Sequence, residues 1–143
     1  MDYSIPRLLH FMSQLKLLNP EKFLDSIMKV SKHLRYATIY DLKGNMLHRR
    51  KMDGVVDLLT EEQNKIALNH TIESWNFRNT LSEKIGKPKY TLQVYDNFMR
   101  ILYPFGEKML LIVTFDDASG HNDIIERIQK ILSGSYTETG KKS

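Results

Sequence analysis

Between Lys89 and Asp117 the sequence KYTLQVYDNFMRILYPFGEKMLLIVTFDD alternates, turns, and then runs apolar. Tyr90, Leu92 and Val94 alternate with Thr91, Gln93 and Tyr95, and a period of two marks a strand with one drier face. Asp96-Asn97 supplies turn chemistry. Residues 98–105 then run extended, Gly106-Glu107-Lys108 turns again, and Met109 to Phe115 is almost uninterruptedly apolar. An unbroken apolar run predicts a central strand covered on both faces. The short turns predict an antiparallel three-strand meander.

Upstream the pattern is mostly helical. Ile5, Leu8, Leu9, Met12 and Leu15 predict an amphipathic helix over residues 5–18, with Ser4 as cap and Pro6 in its first turn. Asn19-Pro20-Glu21 reads as cap, first position and acidic first turn of a second helix, whose apolar face is Phe23, Ile27, Val30 and Leu34. Residues 35–51 predict a hairpin: Tyr36, Thr38 and Tyr40 alternate with Ala37 and Ile39, and Asp41-Leu-Lys-Gly44-Asn45 turns the chain. Residues 52–59 read as a connection with a short helical turn. Thr60 and Gln63 have capping-box spacing and open a long helix, predicted to run to about Ile85 before Gly86 and Pro88.

That helix carries two apolar stripes. Ile66, His70, Phe77 and Leu81 share one, and Leu68, Ile72 and Trp75 the other. A sheet can cover only one of them, so the second is expected to meet residues 5–18 or a second subunit. The Trp75 stripe is assigned to the subunit, because a partly exposed tryptophan makes a strong anchor. After the meander, Ile124, Ile128, Ile131 and Leu132 give a last helix a single apolar face.

The 143 residues suit one domain with its own core. The expected division is an N-terminal helix at 1–19, a domain at 20–133, and a tail at 134–143. With no cysteine, thiol catalysis and cysteine-ligated zinc are excluded. The opening MDYSIPRLLHFM lacks a basic region and cleavage site, and no apolar run nears the ~20 residues of a membrane span, so a cytoplasmic protein is expected. Net charge is +4, with both signs interspersed, which decides little.

Chemical motifs are few. His10, His33, His48, His70 and His121 show no i, i+4 pairing, and a metal site is not expected; His70 is expected inside the core or an interface. Asp116-Asp117 ends a strand, where carboxylates more often turn the chain than catalyse. Phosphate-binding loops of either glycine-rich type and serine nucleophile elbows are absent, so no cofactor and no enzymatic activity are expected. His48-Arg49-Arg50-Lys51 is the densest basic run. It could receive an acidic partner or nucleic acid, and would equally protect a sheet edge against aggregation.

The hairpin YATIYDLKGNMLHRR and the meander KYTLQVYDNFMRILYPFGEKMLLIVTFD together resemble the roadblock family (dynein light chain type), whose fold is profilin-like. In style, YDLKGNML and KYTLQVYDNF also resemble archaeal proteins of ammonia-oxidising lineages. The roadblock resemblance covers residues 20–133. It implies an α+β fold with a five-stranded antiparallel sheet in the order helix-β-β-helix-β-β-β-helix, plus an added N-terminal helix. It further implies a homodimer joined through edge strands and long helices, and a non-enzymatic adaptor that scaffolds or regulates a small Ras-like GTPase or signalling complex. The residues expected at the dimer interface are Leu68, Ile72, Trp75, Tyr90, Leu92 and Val94; Arg49, Arg50 and Lys51 are expected to meet an acidic partner. A second reading is a small-molecule sensor of PAS or GAF type, in which Met28, Phe98, Met99, Phe105 and Met109 line a cavity or fill an ordinary core. A third is a nucleic-acid-binding regulator, which the interspersed charge and helix-covered sheet disfavour.

Overall fold

The computed structural model describes residues 19–116 and 121–134. The helix expected over 5–18, Asp117, and the tail from residue 135 lie outside the described residues. Among those described, the elements are α1 (Pro20–Met28), β1 (Leu34–Asp41), β2 (Met46–Lys51), α2 (Glu61–Asn79), α3 (Ser82–Ile85), β3 (Thr91–Val94), β4 (Met99–Pro104), β5 (Met109–Phe115) and α4 (His121–Ser133). The sheet is five-stranded in the order β2-β1-β5-β4-β3, and every neighbouring pair is antiparallel.

Local chemistry sets the boundaries. Asn19 Oδ1 accepts the Lys22 N–H at 3.3 Å, and Pro20 follows at the first helical position of α1. In the β1–β2 turn, Asp41 Oδ1 accepts the backbone N–H groups of Lys43 and Asn45, both at 2.9 Å, and Oδ2 accepts the Asn45 side-chain amide at 2.9 Å. These bonds, the Asn45 side chain foremost, hold the Asp41 carboxyl below its ordinary pKa. Gly44 completes the turn at φ +94°, a conformation other residues resist. At the start of α2, Thr60 and Gln63 exchange both bonds of the capping box, at 3.0 and 3.1 Å.

The long helix ends earlier than its pattern predicts. At Thr80 the backbone N–H bonds to Phe77 O at 3.0 Å and the hydroxyl donates to the same oxygen at 2.6 Å. Leu81 N likewise reaches Arg78 O at 3.1 Å. This tightening to i→i+3 bonds closes α2, and α3 is a separate turn ending at Gly86, φ +95°. Residues 52–59 hold no helical turn; an Arg35 guanidinium bond to Val56 O, 2.7 Å, pins the connection.

The two sheet faces are unequal. One is covered by α1 and α4, and holds Phe23, Leu24, Ile27, Ala37, Ile39, Ile101, Leu111, Val113, Phe115 and Ile128 in a single packed core. Met28, Met99 and Phe105 belong to this core with Met109 packed against it, and the Phe23 and Phe105 rings stack at 4.9 Å. The five residues offered as a sensor cavity therefore do not line one; Phe98 stands apart, at a cleft on the other face. Buried Tyr103 donates its hydroxyl to Ile125 O at 3.2 Å, and desolvation drives its pKa far upward. The other sheet face is covered by α2, and its apolar core is small: Ile72, Trp75, Leu102, Leu110 and Ile112. No helix among the described residues is long and apolar enough to cross a membrane.

Candidate interaction surface

Helix α2 reverses the predicted roles of its two stripes. Trp75 is 2% exposed and Ile72 5%, both packed on Leu102, Leu110 and Ile112, with Leu68 beside them. Leu68, Ile72 and Trp75 thus fasten α2 to its own sheet and do not form an outward surface. The outward stripe is the other one, where Ile66 is 51% and Phe77 63% exposed. His70 lies on this outer side, next to Glu73 at 3.9 Å, and is exposed, so of the two places expected for it the core is excluded. The reason is readable in retrospect. At helical spacing the outer stripe is Ile66, His70, Glu73, Phe77, broken by titratable groups, whereas Thr71 joins Leu68, Ile72 and Trp75 without any charge.

Strand β3 is one edge of the sheet, and the C-terminal end of α2 reaches it through a side chain. The Arg78 guanidinium bridges the two, donating to Thr91 Oγ1 at 3.3 Å and to Ser74 Oγ at 3.0 Å. Of the residues expected here, Tyr90 and Val94 are exposed, and Leu92 packs partly into the larger core. Tyr90 also lies 6.0 Å from the Tyr103 ring. No charged residue falls between Thr91 and Val94.

The opposite edge, β2, is guarded. Arg50 Nε reaches Asp25 at 2.8 Å, and Asp57 sits 3.4 Å from Lys51 and 3.7 Å from Arg49. Arg49 also lies over the Tyr36 ring at 4.3 Å. Each cation of the basic run already has a carboxylate from its own chain, a relation invisible in the sequence because Asp25 and Asp57 come from other elements. Asp116 is similarly engaged, by Arg35 at 3.0 Å. Among the described residues no cluster of three histidines or acids could hold a metal ion.

A cleft of about 700 Å³ opens between the connection before α2, the first half of α2 and the β3–β4 turn. Leu58, Leu59, Gln63, Ala67, Tyr95, Asp96, Asn97, Phe98 and Arg100 line it. Arg100 is 8% exposed. Sequence reasoning passed over it, although an arginine inside the apolar run FMRILY is a signal in itself.

No protein-family model matches this sequence, and no curated protein matches it. Solved structures do match in fold. The gliding protein MglB of Thermus thermophilus superposes with a TM-score of 0.64 at 14% identity, covering 78% of this chain and 82% of that one. A structure of MglB with a tetrameric arrangement gives 0.65 at 13% identity, covering 94% and 90%. A Roadblock/LC7 domain from Streptomyces avermitilis gives 0.60 at 8% identity, covering 79% and 91%. The chain has the Roadblock/LC7 fold, as the hairpin and meander imply. The archaeal likeness gains no support from these structures.

Proposed function

We propose that this protein is a non-enzymatic, self-associating adaptor that holds or regulates a small Ras-like GTPase. The observation that carries self-association is the uncharged edge of β3, together with an outward apolar stripe on α2. A bare strand edge pairs readily with another strand, and natural edges are usually protected by charge, as β2 is here. Pairing two β3 edges would continue the sheet and bring Ile66 and Phe77 of two α2 helices together, with Leu81 just past each helix end. Tyr90, Leu92 and Val94 keep their expected place in that contact. An MglB structure with a tetrameric arrangement supports self-association as a property compatible with the fold.

The GTPase half of the reading rests on the family resemblance of the hairpin and meander, and on the fold shared with MglB. An acidic surface of that partner would meet Arg49, Arg50 and Lys51, exchanging with Asp25 and Asp57. The test is calorimetric titration with purified Ras-like GTPases from the same genome, loaded with GTP or GDP. Binding that depends on the nucleotide supports the proposal; no binding in either state to any of them counts against it.

A further inference from the structure

Arg100 is the second residue of β4, on the α2 side of the sheet, and its guanidinium is poorly provided for. Its one hydrogen bond among the described residues is to Gln93 Oε1, long at 3.4 Å. The Phe98 ring centroid lies 5.7 Å away, and no carboxylate among the described residues is paired with the guanidinium. Arg100 is 8% exposed as a residue, and a mostly buried arginine without a counter-charge is costly to the fold, so such residues are normally paired. Arg100 lines both the cleft and a small adjoining cavity of about 20 Å³ that it shares with Thr71, Thr114, Asn64 and Tyr36.

We propose that this cleft binds a small organic monoanion, its carboxylate on Arg100 and its apolar body between Leu58 and Leu59 on one side and Tyr95 and Phe98 on the other. The planar guanidinium fork matches a carboxylate through two parallel bonds. The Tyr95 and Phe98 rings, edge to face at 5.0 Å, offer an aromatic wall. A volume of about 700 Å³ lies within the range of small-molecule sites. The charge count fixes the class. Among the described residues Arg100 is the only cation in the lining and exposed Asp96 the only anion, so a second negative charge on the ligand would meet Asp96 without a cation of its own. The site does not depend on self-association.

The test uses the full chain, ¹⁵N-labelled, with benzoate as probe and phthalate and benzyl alcohol as controls. Benzoate is expected to shift the Leu59, Ala67 and Asn97 amides and the Arg100 Nε resonance in one saturable process. Benzyl alcohol and Arg100→Gln should each weaken it by about tenfold or more, the loss of a charged hydrogen bond. Phthalate should bind more weakly than benzoate. Should Arg100→Gln unfold the chain, Ala67→Phe fills the cleft from α2 and leaves Arg100 in place, with the same loss expected. No saturable shift by benzoate overturns the proposal, as does equal binding of benzyl alcohol or benzoate binding unchanged by Ala67→Phe. A nitroxide on Ser13→Cys, unique in a cysteine-free chain, provides a further check. Broadening of the Ala67 and Asn97 amides by that label would assign the cleft to the chain's own first residues and overturn the proposal.

Discussion

Truncating the two aromatic residues of α2 separates its faces. Trp75 is 2% exposed and sits on Leu102, Leu110 and Ile112. A buried aromatic side chain hides roughly 200 Å², which at about 25 cal/mol per Å² amounts to ~5 kcal/mol. Aromatic-to-alanine changes in cores cost about 3–5 kcal/mol, so Trp75→Ala should fall in that range. Phe77, two positions on, is 63% exposed. With roughly a third of its surface covered, Phe77→Ala should cost on the order of 1 kcal/mol or less within one subunit. The assay is urea unfolding followed by circular dichroism, at protein concentrations low enough that the midpoint no longer depends on concentration. That condition removes any contribution of association from both numbers. A Trp75→Ala cost below about 1 kcal/mol, or a Phe77→Ala cost equal to it, would refute the assignment of inner and outer faces.

Three further outcomes follow from local geometry. Thr60→Ala removes half of the capping box and should destabilise the fold by about 1 kcal/mol in the same urea assay. The Arg50–Asp25 pair is half-exposed on both sides, so a double-mutant cycle of Arg50→Gln with Asp25→Asn should give a coupling below about 1 kcal/mol, shrinking in high salt. Asp41 has a folded pKa depressed below its ordinary 3.8. Its contribution is therefore present above that value and lost as pH falls through the lower, folded pKa, so Asp41→Asn should flatten the acid limb of a stability–pH profile.

What the sequence made legible was whatever adjacent residues decide. The Asn19-Pro20 start, the Thr60/Gln63 box, the Asp41–Asn45 turn and the apolar run of β5 all act within a few positions, and each appears where the pattern puts it. Choices between tertiary partners were harder. Both stripes of α2 are apolar, and the bulk of Trp75 suggested an anchor for a partner when it is the anchor for the sheet. Only the His70 and Glu73 interruptions mark the outer side. The basic run read as free charge because Asp25 and Asp57 reach it from other elements. The break at Thr80 turns on a side-chain hydroxyl that competes with the helix backbone, a small effect beside the pull of a continuing helical pattern. Arg100 is not legible in the sequence because its meaning lies in having no carboxylate beside it among the described residues, and partners are set by the fold.

Self-association through the β3 edge and the outer stripe of α2 is the proposal on which the adaptor reading stands. Light scattering on the wild type and on Phe77→Glu tests it most directly, since Phe77 contributes little to the subunit's own core. The expected result is a wild-type mass of at least twice the 16.8 kDa chain, and a folded Phe77→Glu variant at the mass of one chain. A wild type that stays at one chain mass throughout the micromolar range, or a Phe77→Glu variant as associated as the wild type, would contradict it.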